Sequence, residues 1–170
     1  GMISRSGMKM GAESLDTVGI IARNVEDAAL LAAASAMRPE LAYISVIEKP
    51  RLGVCCSPNW RHMSREGAQA FEQAVQRLEE KGASMFDVEL PGAFEELDAA
   101  AADILGYEMA RGLAHESAHH RARINPVLLQ RIETGKALPL SRYEKALACA
   151  AECRRGLADE MRNLDAIVTP

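Results

Sequence analysis

The chain has 170 residues, 48 % of them hydrophobic, with 20 Lys and Arg against 24 Asp and Glu for a formal net charge of -4. That length supports one compact domain with a real core and is too short to argue for two, so a single domain over residues 1–170 is expected. The basic residues form no stripe that could neutralise a row of phosphates, and no apolar run reaches the roughly 20 residues of a membrane-spanning helix, so neither nucleic acid nor membrane is expected as a partner.

In chain order, the first 23 residues are rich in Gly, Ser and Met and read as irregular, with a short extended stretch over residues 17–22. Asn24 offers an N-cap with Asp27 three residues on, and Val25, Ala28, Leu31 and Ala32 follow at helical spacing, bounded by Pro39. Residues 51–57 are a short apolar run ended by Pro58, which reads as a buried strand. Ser64 can cap the next helix, where Ala68, Phe71, Val75 and Leu78 recur at three and four residues and Gly82 stands where a left-handed cap is wanted. Phe86, Val88 and Leu90 then alternate with Asp87 and Glu89, the period of a half-buried strand stopped by Pro91. Strand, helix and strand within about 40 residues predict a β-α-β unit with parallel strands and a right-handed crossover.

From Phe94 the spacing of Leu97, Ala101, Ile104, Leu105 and Met109 predicts one long amphipathic helix reaching residues 115–120. Asn125 and Pro126 open a short helix that Gly135 closes. Ser141 and Glu144 form a capping-box pattern before a last helix whose face includes Ala146, Ala150, Cys153, Leu157, Met161 and Leu164. The chain becomes extended again at residues 166–169, and a terminal strand with no following turn suggests a polypeptide that was cut. The fold class expected is α/β, a small, partly parallel sheet packed with about five helices.

The cysteines fall as an adjacent pair, Cys55 and Cys56, and a pair four apart, Cys149 and Cys153. Neither spacing is a disulfide framework, and adjacent cysteines are poorly placed to share a tetrahedral metal site. Together with an N-terminus lacking a charged-then-apolar secretory pattern, this reads as buried thiols in the cytoplasm.

His115, Glu116 and His119 match H-E-x-x-H, in which two histidines one helical turn apart hold zinc and the glutamate activates water. Against that reading, Arg121, Ala122 and Arg123 follow where the metzincin extension would place a glycine turn and a third histidine, and Glu133 and Glu144 lack the setting of a downstream ligand. A solvated helix end whose cations complement the dipole is the plainer account, and no metal is expected.

Three stretches carry a resemblance. The first is G-M-I-S-R-S-G followed by S-L-D-T-V-G-I-I-A-R-N-V-E-D-A-A-L-L over residues 1–31; the second is R-L-G-V, a helix to L-E-E-K-G-A, and a strand ending V-E-L-P; the third is E-T-G-K-A-L-P-L-S-R-Y-E-K-A, a long helix, and L-D-A-I-V-T-P. In this order they are similar to the amidase-signature family, which includes amidases, the A subunits of glutamyl-tRNA amidotransferases and fatty-acid amide hydrolases. Ile20 departs from the family's usual proline.

The resemblance implies hydrolysis of a carbon–nitrogen bond in a small amide substrate, without metal or cofactor. That chemistry uses a lysine, a serine on a cis peptide and a nucleophilic serine in a Gly-Ser-rich segment, all preceding the S-R-x-G stretch. None can be carried over to a residue here: there is no G-G-S-S-G-G segment or G-x-S-x-G elbow, and Ser4, Ser6 and Ser14 read as turn and cap residues. No catalytic residue is therefore assigned. Tyr107, Glu108 and Arg111 lie where the family approaches its substrate cleft and are the pocket candidates, with a buried Tyr107 and solvated charges as the plainer alternative. Three readings follow: a fragment of an amidase, a standalone non-catalytic domain derived from one, and a zinc hydrolase at residues 115–119. A fragment would expose apolar surface and associate as a homo-oligomer.

Overall fold

A computed structural model describes residues 2–170. In chain order its helices and strands are α1 (Val25–Ala36), β1 (Arg51–Val54), α2 (Arg65–Glu80), β2 (Ser84–Asp87), α3 (Leu97–Gly112), α4 (Ala114–His119), α5 (Pro126–Lys136), α6 (Leu140–Glu160) and β3 (Ala166–Val168). They divide into two compact units, each built from two separate stretches of sequence: residues 1–46 with 103–139, and residues 47–102 with 140–170. Residues 17–22, expected to be extended, form no strand. Among the described residues, no helix is long and apolar enough to cross a membrane.

The second unit holds the sheet, in the order β2-β1-β3 with both pairings parallel. The β-α-β unit is present, but its second strand is Ser84–Asp87 and not the alternating residues 86–90: Phe86 is exposed, and Val88, just past the strand, is the buried one. Ser64 accepts the Gly67 N–H at 3.0 Å to start α2, and Gly82, at φ +96°, turns the chain out of it. β1 is shorter than its apolar run, the chain entering a 3-10 turn at Pro58, and each pairing continues past the ladder by a single bond, Cys55 N–H to the Val168 carbonyl at 3.0 Å and Val88 N–H to that of Val54 at 2.9 Å. Gly53, on the central strand, pairs with Phe86 and Ile167. A Cβ there would stand 2.6 Å from the Val88 side chain and 2.7 Å from that of Leu164, so glycine is what lets these two side chains close over β1. Phe71 of α2 is buried with Trp60 edge-on to it at 5.5 Å. The last helix, α6, starts at Leu140, so Ser141 lies inside its first turn and not at the N-cap that a capping box requires.

The first unit contains α1, α4, α5 and the C-terminal part of α3. Asn24 caps α1 as its sequence implied, accepting the Asp27 N–H at 2.7 Å. The long helix expected from Phe94 to residues 115–120 is two helices. At the break Leu113 leaves helical geometry (φ -106°, ψ 20°), and the preceding Gly112 lies so close to the N-terminal segment that a Cβ would meet the Met10 carbonyl at 3.2 Å. Asn125 and Pro126 open α5 as expected, with the Asn125 side chain on the Val127 N–H at 2.9 Å. Gly135, however, does not close α5. It is buried within the helix, and a Cβ there would overlap the Gly106 carbonyl, so α3 and α5 cross in backbone contact. Around that crossing Met109, Ala110 and Ile132 form a core, with Leu105, Leu113, Ile124 and Leu128 packed against it.

Candidate functional site

The pocket candidates stand on the last turns of α3. Tyr107 is buried. The Arg111 guanidinium lies over its ring at 3.2 Å from the centroid and donates to the Tyr107 carbonyl at 2.9 Å, so one arginine caps the ring and the helix turn together. Glu108 reaches the N-terminal loop instead: it accepts the Ser14 N–H at 2.7 Å and the Ser14 hydroxyl at 2.5 Å.

That loop is organised by its own polar side chains. The Asp16 carboxylate accepts the N–H groups of Gly11 at 2.7 Å and Ala12 at 2.9 Å. Arg5 donates to the Glu13 carbonyl and, at 3.1 Å, to that of Asp16. Asp16 and Ser4 thus act as turn residues, Ser4 accepting the Ser6 N–H at 3.2 Å. Lys9 adds an ion pair to Glu116 of α4 at 3.0 Å. The sequence singles out Glu108 but not its partner; the serine that opens S-L-D gives no local sign that a carboxylate more than ninety positions later will take both of its donors.

His115 and His119 do share a face of α4, ring centroids 4.7 Å apart, and His120 lies 5.9 Å from His115. Glu116 is turned away to Lys9. A hydrogen bond from its own backbone, then the Lys9 ammonium, hold its carboxyl below the ordinary glutamate value. Its other carboxylate oxygen is buried with no hydrogen-bond partner. Among the described residues, no group of three or more His, Cys, Asp and Glu side chains is arranged to hold a metal ion.

In the second unit a cleft of about 480 Å³ opens at the carboxyl ends of β1 and β2. Val54, Cys56, Val88 and Leu90 give it apolar walls, and Asp87, Glu89 and Glu95 line it with carboxylates. Cys56 is exposed, whereas its neighbour Cys55 is buried, and burial followed by the adjacent Cys56 raises the Cys55 thiol above its ordinary value. The motifs of the sequence do not mark this cleft, although the residues leaving two adjacent parallel strands are where open α/β sheets place their ligand crevice.

Comparison with known proteins joins these observations to a family. The family model described as Amidase matches residues 1–170. The 2-amino-5-chloromuconic acid deaminase of Comamonas testosteroni is 30 % identical over 164 residues, covering 94 % of this chain and 35 % of the deaminase. The A subunit of the glutamyl-tRNA(Gln) amidotransferase of Hahella chejuensis is 35 % identical over 105 residues, covering 54 % of this chain and 22 % of that protein. A chain from a vestigial protein complex that reveals the evolutionary origins of an s-triazine catabolic enzyme superposes with a TM-score of 0.77 at 23 % identity, covering 97 % of this chain and 38 % of that one, and so shares the fold. The chain spans about a third or less of the length of the curated relatives it matches. With the family match running from the first residue to the last and the small parallel sheet and helices of the fold present, the chain belongs to the amidase family.

Proposed function

We propose that residues 1–170 are part of an amidase-family hydrolase that cleaves a carbon–nitrogen bond in a small amide substrate, and that this stretch does not itself hold the catalytic lysine and serines. The family match over the whole chain carries the reading. Its serines at 4 and 14 are engaged in turn and loop hydrogen bonds, without the glycine-rich backbone that would present N–H groups to an oxyanion. Tyr107, Glu108 and Arg111 would form one wall of the substrate pocket, Arg111 and Tyr107 as a rigid stack and Glu108 by fixing the loop beside it. The residues act as one domain of a cytoplasmic enzyme that uses neither metal nor cofactor, and by themselves they associate as a homo-oligomer.

The experiment assays a panel of aryl and aliphatic amides with this chain and with a version extended through a family-like lysine and Gly-Ser segment. Turnover is expected only from the extended protein. Turnover by the 170-residue chain above a heat-killed control, abolished by substituting one of its own serines or lysines, would overturn the reading.

A further inference from the structure

The residues that fasten the N-terminal segment come from both sides of the break between α3 and α4. Glu108, in the last turns of α3, takes both donors of Ser14, at 2.7 and 2.5 Å. Glu116, the glutamate of H-E-x-x-H, reaches Lys9 from α4 at 3.0 Å. One of its carboxylate oxygens is buried, so the pair is partly withdrawn from water and its attraction is screened less than that of a free surface pair. Between these two anchors the segment is seated on the break itself: Ala12 is fully buried, and the Met10 carbonyl lies where Gly112 leaves room for it. The order is carried back along the chain. The Asp16 carboxylate accepts the Gly11 and Ala12 N–H groups, and Arg5 donates to the carbonyls of Glu13 and Asp16, so residues 5–16 form a closed loop whose upstream end is tied to its clamped end.

We propose that Glu108 and Glu116 act as a two-point clamp that positions the catalytic serines through this loop, Glu116 being a positioning residue and not the base of a zinc site. The inference rests on the function proposed above, in which the catalytic segment lies upstream of the S-R-x-G stretch, and it adds the residues that set that segment's place. A segment held at one point pivots about it. Two anchors, at Lys9 and Ser14, with a fully buried alanine between them, remove that freedom, and the chain that meets the loop at Arg5 inherits a fixed direction. Attack by a serine nucleophile is sensitive to that direction, since a displacement of about 1 Å at the reacting atoms costs on the order of a hundredfold in rate. Neither glutamate has to touch substrate, so the clamp acts on kcat and leaves KM alone.

The test uses the protein extended through the lysine and Gly-Ser segment, with Glu108→Ala, Glu108→Gln, Glu116→Ala, Lys9→Glu and the reversed pair Lys9→Glu/Glu116→Lys, each checked for its fold by circular dichroism. In Glu108→Ala, Glu116→Ala and Lys9→Glu, kcat is expected to fall about tenfold or more with KM within about twofold, the mark of a mispositioned nucleophile. Glu108→Gln keeps an acceptor for Ser14 and is expected to retain more of kcat than Glu108→Ala. The reversed pair restores the attraction with the charges exchanged and is expected to recover most of the kcat lost in Lys9→Glu, which a merely structural loss would not do. Unchanged kcat in the alanine variants alongside a lowered melting temperature overturns the clamp as a positioning device. A raised KM at constant kcat also overturns it and assigns the glutamates to substrate binding. Failure of the reversed pair to recover kcat removes Glu116 from the role. An active parent with indifferent variants leaves the function reading standing, whereas an extended parent without turnover overturns that reading and this inference together.

Discussion

Removing the Glu108 carboxylate takes two hydrogen bonds from Ser14 at once, one to its backbone and one to its hydroxyl. Glu108→Ala is expected to cost about 1–2 kcal/mol in chemical denaturation, a hydrogen-bonded charge at a half-buried position being worth somewhat more than a neutral pair. Ser14→Ala removes only the hydroxyl bond and should cost less. The two substitutions combined should fall short of their sum, because the interaction is shared; full additivity would show that the contact contributes nothing in solution. The Lys9–Glu116 pair gives a second expectation, read through pH. Its glutamate is held below the ordinary value in the folded chain, so its contribution is present in full above the unfolded glutamate pKa of about 4.3 and is lost as pH falls through the lower folded value. Lys9→Ala should therefore lower stability slightly at neutral pH and converge with the parent chain in acid, which flattens the acid limb of the stability curve. Two curves that run parallel through that limb would remove the pair from the account.

At the scale of elements, the helix starts are the legible part. Asn24, Ser64 and Asn125 each cap the helix their position promises, because a cap is a contact between residues two or three apart and needs nothing from the rest of the fold. Gly82 is legible for the same reason. Gly135 and Gly112 are not, since what each approaches is a distant backbone: the Gly106 carbonyl in one case, the Met10 carbonyl in the other. By local pattern the first reads as a helix end, and the second gives no sign of a helix break. The pocket candidates sit between these extremes, for Arg111 meets Tyr107 one turn away, while Glu108 finds a partner no local pattern could announce. Gly135→Ala separates a packing glycine from a terminating one. Its methyl would overlap the Gly106 carbonyl, so α3 and α5 must move apart, at an expected cost of about 3 kcal/mol or more. A helix-ending glycine exchanged for alanine outside the left-handed region would be neutral or slightly stabilising; a thermal melt decides between them.

For the molecule as a whole, the thiols report how the chain is folded. Cys55 and Cys153 are buried, and desolvation raises both thiols above their ordinary value, whereas Cys56 is exposed at the cleft. Under native conditions near neutral pH, a thiol-directed reagent followed by mass spectrometry should label Cys56 first and reach Cys55 and Cys153 only on unfolding. Equal rates at Cys55 and Cys56 would mean that β1 and the turn after it open readily.

The central strand of the sheet has another consequence, for the order in which the chain can assemble. β1 meets β2 soon after α2, so a parallel pair can form from one continuous stretch. Its other edge waits for β3, which follows α3 to α6 and the return of the chain from the first unit. Joining it closes a long loop, a step whose entropy must be met before the pairing rewards it. Until then β1 presents a row of unpaired N–H and C=O groups, a template for any other extended segment. Synthesis from the N-terminus therefore leaves the sheet half closed all the while that α3 to α6 emerge, and whatever shields that open edge in the interval has to be something other than its native neighbour.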